Sequence, residues 1–523
     1  MGSIKNFWFI SREYRDLAGN GGLQDVCRQL ALALAKKYRV TVCLPAYSFL
    51  DPLGLGFKAE ETFQVDMNYT HEERREAVQI WSRTTEEGMR FFLFDACRYQ
   101  EKRGIYTYTA EDEAEDPEHL QGTGHYDYFA MNVLLQKAAI CLMIYRMEQP
   151  DIIHCHDGHT ALVPAMIREN EGFRHFFSNT GCLVTIHNAG VGYHQEVDDL
   201  PFARAITGLP EMLINQSLLG GSFDPFLAAA PYALLNTVSE NYAYELMETD
   251  YDEMTGWLGH ALIRRGIRIR GITNGINPED FNPENAKSLG IAAPYSPVKG
   301  NFSGKEKCKE DLINSIRKYR EKDKVTVYGY LDLMMENSPL FTCISRLTPQ
   351  KGIDRLVIAM DKLLVKQPDL QMLVMGTGDT EIEESLIRLI RQNSNKGRIA
   401  LLKGYDERLA NRVYAAGDFF LVPSIYEPCG LSDFIAQLFG NIPVVHHTGG
   451  LIKVIDGKTG FAYKQRGTEA LMSAIIRASQ VFKEDKKKIR EIQINAVKIL
   501  YENYTWDKVM QRYEELYGEC LNK

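Results

Sequence analysis

The sequence has no block of lysine and arginine residues, and its formal net charge is −9 at pH 7. This balance offers no electrostatic footprint for a polyanion, so we expect no nucleic-acid partner. No apolar run approaches about 18 residues, so we predict no membrane span. Residues 1–6 reach a strand-like apolar run at once, without a signal-peptide cleavage site. Together these absences predict a cytoplasmic protein.

The sequence also lacks a CxxC pair. Its ten cysteines are scattered, and several, such as Cys43, Cys141 and Cys343, lie inside apolar runs. This distribution indicates reduced thiols, not a disulfide framework or a zinc site. The dinucleotide fingerprint GxGxxG is missing too, because residues 18–23 read AGNGGL, which disfavours a dinucleotide site. We therefore predict no metal and no cofactor.

A chain of 523 residues is too long for one hydrophobic core, so we expect two domains. Short apolar runs alternate with segments of helical periodicity, which is typical of parallel sheets covered by helices. The predicted strands are 7–10, 40–44, 152–154, 183–186 and 234–238, and then 341–344, 373–375, 400–402, 419–422 and 443–445. The predicted fold class is α/β, with two Rossmann-like doubly wound domains facing a cleft.

Three polar segments receive structural interpretations. Residues 312–324 are charged and predict an exposed helix, whereas the acidic residues 111–118 predict a mobile loop. The DYD sequence at 250–252 has the form of a metal-diphosphate motif. It does not follow a predicted strand, so we interpret it as a surface feature.

Several polar motifs follow predicted strands, where open parallel sheets bind their ligands. Residues 154–159 read HCHDGH, and strand alternation places His154 and His156 on one face. We interpret this segment as an active-site loop, because no second ligand cluster has zinc spacing. The glycines of residues 18–23 would let the backbone approach a phosphate at a helix N-terminus. They would equally suit a plain strand-to-helix turn.

Two distant segments are the most specific: SRLTPQKG at 345–352 and YEPCGLS at 426–432. They supply the Arg346 guanidinium, the Lys351 ammonium and the Glu427 carboxylate, together with a glycine turn. Two cations suit the phosphates of a sugar diphosphate, a carboxylate suits sugar hydroxyls, and free N–H groups suit oxygens. The alternative for the two cations is a helix-capping loop.

The motifs, taken in order, resemble those of the bacterial glycogen synthases and plant starch synthases over nearly the whole chain. They are GGLxDV at 21–26, HxHDxH at 154–159, TIHN at 185–188, TVS at 237–239, TNGIN at 273–277, SRLTxQKG at 345–352, GYDE at 404–407, YEPCGLS at 426–432, TGGL at 448–451 and YTWD at 504–507. The resemblance implies a GT-B type fold. Its acceptor-side domain would be residues 1–275, its nucleotide-sugar domain 276–503, and 504–523 would be a helix returning to the first domain.

The resemblance also implies roles for individual residues. Arg346 and Lys351 would clamp the donor diphosphate, Tyr405 would stack on the base, Glu427 would hold the transferred sugar, and His159 would lie against the reacting glucosyl unit. The other implied donor-binding positions are Gly21, Gly22, Cys429, Gly430, Leu431, Ser432 and Thr448. The implied acceptor or cleft positions are Glu13, Asp25, His187 and Asn188.

The implied activity is transfer of glucose from ADP-glucose to the non-reducing end of an α-1,4-glucan with retention, through front-face attack by the acceptor hydroxyl. One position departs from the family signature Lys-x-Gly-Gly-Leu, because Gly19 replaces the lysine that brings positive charge to the donor. We hypothesise that Arg12 or Arg15 supplies this charge instead. The alternatives are a glycosyltransferase that uses UDP-glucose or another acceptor, and a glucan-binding paralogue with weak or lost turnover.

Overall fold

The computed structural model describes residues 4–318, 321–322, 325–333 and 338–523. Residue contacts divide the chain into two compact units. The first comprises Met1–Gly275 with Val509–Lys523, and the second comprises Ile276–Lys508. Each unit contains one large sheet.

The sheet of the first unit has nine strands in the described residues, and all but two are parallel. The predicted strands form its centre, where Ile152–His156 and Gly181–Ile186 are buried along their whole length. Across the sheet the order is Arg270–Gly271, Leu234–Thr237, Gly181–Ile186, Ile152–His156, Asn6–Ile10, Arg39–Pro45, Arg90–Asp95, Arg75–Thr84 and Lys58–Asp66. This is the doubly wound arrangement that the apolar runs predict.

At one edge of the sheet, the last two strands, Arg75–Thr84 and Lys58–Asp66, pair antiparallel with their neighbours. Lys58–Asp66 is mostly exposed, whereas Arg75–Thr84 is largely half-buried and buries only Val78 and Ile80. Neither strand has the continuous apolar run of the central strands. No strand was predicted at this edge. A short two-stranded hairpin, Leu218–Leu219 with Ser222–Phe223, lies outside the main sheet.

Helices accompany the sheet of the first unit. The first of them, Gly22–Ala35, buries Leu23, Val26, Leu30 and Leu34 as the helical spacing predicts. The others are Cys97–Gln100, Ala110–Glu115, Tyr128–Tyr145, Val163–Glu169, Glu171–Arg174, Leu200–Thr207, Glu211–Gln216, Pro225–Ala229, Glu240–Glu248, Leu258–Arg264 and, at the end of the chain, Trp506–Cys520. Near the end of that last helix, the Tyr517 hydroxyl lies 3.0 Å from His154 Nδ1 in the buried centre of the unit.

One helix, Tyr128–Tyr145, is long and apolar enough by composition to span a membrane, with a mean hydropathy of 1.4. Asn132, Gln136 and Lys137 interrupt its apolar residues, so it is not one continuous apolar run. In addition, 78% of the helix is buried within the protein. It is therefore a core helix of the first unit.

The sheet of the second unit has eight strands in the described residues, parallel except at one edge. Its antiparallel edge, Glu321–Lys322 and Val325–Leu331, was not predicted. The order is Glu321–Lys322, Val325–Leu331, Arg398–Gly404, Gln371–Gly376, Leu340–Ile344, Phe419–Val422, Ile442–His446 and Phe461–Tyr463. The helices are Ala286–Leu289, Ser303–Lys318, Ile353–Lys366, Thr380–Arg391, Glu407–Ala416, Ser432–Leu438, Thr468–Glu484 and Lys486–Asn503.

Two predictions about polar segments need correction. The acidic stretch at 111–118 is mainly helical, because Thr109 and Asp112 form a reciprocal capping box at the start of Ala110–Glu115. In the charged stretch at 312–324, residues 312–318 belong to the helix Ser303–Lys318, whose apolar side is buried against the second sheet, and residues 321–322 form an edge strand. Residues 319–320 and 323–324 lie outside the described part of the chain.

The interpretation of the DYD sequence as a surface feature fits the exposed Asp250 but not Asp252. Asp252 is fully buried within the short 3₁₀ helix Asp250–Thr255. Its carboxylate accepts hydrogen bonds from the backbone N–H groups of Gly259 and His260 at 3.0 and 2.8 Å. Asp252 therefore stabilises the start of the next helix, Leu258–Arg264.

Candidate active site

The glycine-rich turn of the first unit presents exposed backbone. Gly21 is the N-cap and Gly22 the first residue of the helix Gly22–Ala35. Open space surrounds the place where a Cβ of Gly21 would lie. The geometry thus leaves room for an anion at the helix N-terminus, where the N–H groups and the helix dipole favour negative charge.

Beside this turn, Glu13, Tyr106 and His159 form a connected group. Glu13 is buried and accepts hydrogen bonds from the Tyr106 hydroxyl at 2.5 Å and from the Asn20 N–H at 2.8 Å. The Tyr106 ring stacks on the His159 ring, with 5.0 Å between their centroids. Burial holds the pKa of His159 well below its usual range, so this imidazole is neutral near pH 7.

The two candidate replacements for the missing lysine are already engaged. The Arg12 guanidinium is buried and donates to Tyr47 Oη at 3.0 Å and to Asn132 Oδ1 at 3.2 Å. Arg15 forms an ion pair of 2.7 Å with Asp25, one of the predicted cleft residues. Because the Arg12 guanidinium is bound in the protein interior, it is disfavoured as the replacement for the missing lysine charge.

The space beside Gly19 is occupied by a neighbouring side chain. A Cβ built on Gly19 would lie 2.0 Å from Gln24 Oε1 and 2.7 Å from Gln24 Cβ. Real Cβ contacts are not this short, so Gln24 would have to move before any larger residue could replace Gly19.

The HCHDGH segment and the TIHN segment meet at adjacent strand ends. His156 Nδ1 lies 3.0 Å from His187 Nε2, and Asp157 accepts from the N–H groups of His187 and Asn188 at 2.6 and 3.3 Å. Burial lowers the pKa of His187 to about 3 and raises that of Asp157 to about 7. Asp157 thus ties the two loops together through backbone hydrogen bonds.

In the second unit, Lys351 and Glu427 form a direct ion pair. Lys351 Nζ donates to Glu427 Oε2 at 2.7 Å, and the Ser424 hydroxyl donates to the same oxygen, also at 2.7 Å. Burial opposes ionisation of Glu427, but the Lys351 ammonium and the Ser424 hydroxyl outweigh it and lower the pKa of this carboxyl. Glu427 is therefore an ionised acceptor at neutral pH.

Arg346 and Tyr405 are exposed in the same unit. Arg346 follows the strand Leu340–Ile344, and its side chain has no ion pair or hydrogen bond to any residue that the structure describes. The Tyr405 side chain is 57% exposed and directly follows the strand Arg398–Gly404. A free guanidinium and an accessible ring can bind a phosphate and a base, respectively.

The remaining predicted donor-binding residues lie on two segments in mutual contact. Cys429, Gly430 and Leu431 precede the helix that begins at Ser432, and Gly430 has a φ of 73°, a left-handed conformation that favours glycine. Thr448 is buried and precedes the 3₁₀ turn Gly449–Lys453. In that turn, the N–H of Gly450 donates to the Glu427 carbonyl at 3.0 Å.

Two contributors to these clusters were not singled out from the sequence. Ser424 lies two residues after the strand Phe419–Val422, so its position at a strand end was an available signal. Tyr106 carries no comparable signal, because only the tertiary fold brings it to Glu13 and His159.

Comparison with known proteins agrees with this architecture. The family profile described as "Starch synthase catalytic domain" matches residues 6–295, and the profile "Glycosyl transferases group 1" matches residues 332–496. The glycogen synthase of Clostridium beijerinckii is 30% identical over 98% of this chain and 99% of its own length. The glycogen synthase of Lacticaseibacillus casei is 29% identical over the same shares of the two chains.

Among solved structures, the catalytic domain of starch synthase IV from Arabidopsis thaliana, bound to ADP and acarbose, is similar with a TM-score of 0.80 and 25% identity. Both chains are covered completely. The two Rossmann-like units and these matches define a retaining glycosyltransferase with the GT-B fold, which confirms the predicted fold class and enzyme class. The chain belongs to the starch synthase catalytic domain family, together with the bacterial glycogen synthases.

Proposed function

We propose that this enzyme transfers glucose from ADP-glucose to the non-reducing end of an α-1,4-glucan with retention of configuration. The observation that carries the proposal is the Lys351–Glu427 ion pair, with the exposed Arg346 guanidinium in the same unit. The proposal is supported by the similar Arabidopsis structure, which is bound to ADP and acarbose, and by relatives matched over 99% of their length that are named glycogen synthases.

Donor binding would begin at the two cations. Arg346 offers a planar guanidinium that can form two parallel hydrogen bonds to a phosphate, and Lys351 adds a second positive charge. Tyr405 would stack on the base through its exposed ring. A stacking ring does not select adenine over uracil, so the base is decided by experiment.

The reaction would be driven by stabilisation of the leaving nucleotide. The bond between the glucose C1 and the diphosphate oxygen breaks while the glucan hydroxyl oxygen bonds to C1 on the same face. The hydroxyl proton passes to the leaving phosphate oxygen. Arg346 and Lys351 would lie where negative charge develops on the diphosphate, and fixed cations in such positions lower the barrier without reorganisation.

Glu427 would hold the transferred sugar. Its carboxylate already accepts from Lys351 and Ser424 through Oε2, which leaves Oε1 for a sugar hydroxyl. Lys351 would therefore act twice, by keeping Glu427 ionised and by attracting the diphosphate. The N–H groups near Cys429, Gly430 and Leu431, with Ser432 and Thr448 beside them, would bind further sugar or phosphate oxygens.

From the first unit, we infer that the N–H groups at Gly21 and Gly22 bind phosphate and that the neutral His159 contacts the glucosyl unit. The acceptor side would be formed by Glu13, Asp25, His187 and Asn188.

We also infer a cytoplasmic location, because all ten cysteines are free thiols, as is typical of a reducing compartment.

The test is nucleotide release from ADP-glucose and from UDP-glucose, each with and without glycogen. We expect glycogen-dependent ADP release that Glu427→Gln abolishes and that the exposed control Glu381→Gln retains. Faster UDP release would move the assignment to the other donor. Absence of release from either donor, with glycogen still bound, would overturn the proposal in favour of an inactive glucan-binding paralogue.

A further inference from the structure

A buried ion pair lies directly behind the loop that carries Glu427. Lys453 Nζ donates to the carbonyl oxygens of Cys429 at 2.5 Å and Gly430 at 2.6 Å, and it lies 3.1 Å from Asp433 Oδ1. The Lys453 side chain is 4% exposed and that of Asp433 is fully buried. These three acceptors match the three protons of an ammonium group.

The loop and the ion pair are fitted closely to each other. A Cβ on Gly430 would lie 2.7 Å from Leu451 Cδ2, 3.0 Å from Asp433 Oδ1 and 3.2 Å from Lys453 Nζ. Burying two charges costs desolvation free energy, which only good geometry and further hydrogen bonds offset. Replacing a buried ion pair by apolar side chains of similar volume often leaves stability unchanged or raises it, so stability alone does not explain this pair.

The pair fixes the direction of two peptide planes. In a planar trans peptide the C=O of one residue and the N–H of the next point in opposite directions. Since Lys453 holds the carbonyls of Cys429 and Gly430, the N–H groups of Gly430 and Leu431 point away from Lys453. Within the described part of the chain, neither N–H has a hydrogen-bond partner.

We propose that Lys453, together with Asp433, is a positioning residue that aims the N–H groups of Gly430 and Leu431 at the hydroxyl groups of the donor's sugar. This inference rests on the proposed function, because it assumes that the sugar of a nucleotide sugar lies beside Glu427. Because the Lys453 side chain is only 4% exposed, it would not touch the nucleotide or the sugar. Its effect is therefore confined to the sugar half of the donor.

The experiment compares binding of ADP with binding of ADP-glucose by calorimetry in wild type, Lys453→Met and Lys453→Arg. We expect Lys453→Met to leave the Kd of ADP within about twofold and to weaken ADP-glucose about tenfold, as expected for two lost hydrogen bonds. The kcat of glucan extension should fall in parallel. Lys453→Arg should restore part of both, because a guanidinium can also donate to two carbonyls.

Lys305 provides a matched control, because it is another buried lysine of the same unit that donates to backbone carbonyls, those of Ala415 at 3.1 Å and Phe439 at 2.9 Å. Lys305→Met should lower Tm without changing the ratio of the two Kd values. If Lys453→Met fails to fold, Asp433→Asn keeps the shape and should change the ratio in the same direction.

Equal weakening of ADP and ADP-glucose in Lys453→Met, or an unchanged ratio, would overturn the inference and leave Lys453 with a purely structural role. Failure of the proposed function would appear differently, since the wild type itself would then release no nucleotide from ADP-glucose.

Discussion

Lys351 Nζ lies 2.7 Å from Glu427 Oε2, although 76 positions separate the two residues in the chain. The residue proposed to attract the donor diphosphate thus neutralises the carboxylate proposed to hold the donor sugar. Without Lys351, only the Ser424 hydroxyl and the charge of Lys453 would be left to oppose burial, which favours the protonated form of Glu427.

The first prediction concerns the pH dependence of catalysis. Lys351 helps to lower the pKa of Glu427, so Lys351→Met should raise that pKa. On acidification, activity should then be lost at a higher pH than in the wild type. The acidic limb of the pH profile of kcat/KM for the donor should therefore shift to higher pH. The exposed lysine variant Lys362→Met should keep the wild-type limb. An identical acid limb in Lys351→Met would mean that ionisation of Glu427 does not limit the reaction.

The second prediction separates binding from stability at Arg346. This side chain is exposed and makes no ion pair in the described residues, so Arg346→Ala should change the free energy of unfolding by less than about 0.5 kcal/mol. Loss of a charge-assisted contact to phosphate should weaken ADP binding about tenfold to hundredfold. Calorimetry with ADP, alongside the exposed control Arg391→Ala, measures this. Unchanged ADP affinity in Arg346→Ala would remove Arg346 from the donor site.

The third prediction concerns the position of the missing lysine. Because the Gln24 side chain fills the space beside Gly19, Gly19→Lys alone should gain little donor affinity. Adding Gln24→Gly removes the whole Gln24 side chain, including the Cβ that would lie 2.7 Å from the new Cβ. This double variant should bind ADP about tenfold more tightly than wild type through a new charge-assisted contact.

Gly172→Lys places a lysine where no atom lies within 4 Å of the new Cβ, so it controls for net charge alone. If Gly19→Lys and the double variant bind ADP equally well, Gln24 does not restrict this position.

The fourth prediction concerns stability. Burial would lower the pKa of His194, but its hydrogen bond and charge interaction with Asp224, at 2.7 Å, raise the pKa to about 8. The other ring nitrogen lies 2.7 Å from the carbonyl oxygen of Ala189, as suits a doubly protonated ring. A raised folded-state pKa stabilises the protein fully below the unfolded value of about 6.5, and this contribution is lost as pH rises through about 8.

His194→Gln should therefore cost more stability at pH 6 than at pH 9, by about 2 kcal/mol for this shift. Thermal unfolding of both proteins across this pH range measures the difference. Asp224→Asn should reproduce the effect. A cost independent of pH would show that His194 stays neutral in the folded protein.

The central strands were predictable because strands that are buried on both faces have short, continuous apolar sequences. Phe7–Ile10 and Phe419–Val422 are examples, and both form strands as expected. Lys58–Asp66 escaped prediction because an edge strand exposes most of its side chains. Its polar sequence is indistinguishable from a loop until its partner strand is known.

The candidate site divides in the same way. Arg346, Lys351 and Glu427 were predictable because they lie in local motifs whose charged residues indicate binding of phosphates and sugar hydroxyls. Their pairing was not predictable, because a contact across 76 positions depends on strand order and register. Lys453 is a further example, since nothing in its local sequence indicates that it binds the carbonyls of Cys429 and Gly430.

The contact between Tyr517 and His154 has a consequence for biosynthesis. On the ribosome, residues 1–275 emerge long before Tyr517, and at about 5 to 20 residues per second the delay is roughly 10 to 50 seconds. During that interval the His154 side chain lacks the hydroxyl that later covers it. The core of the first unit is thus incomplete until Val509–Lys523 has been synthesised. Translation speed sets how long this incomplete core is exposed to chaperones and proteases.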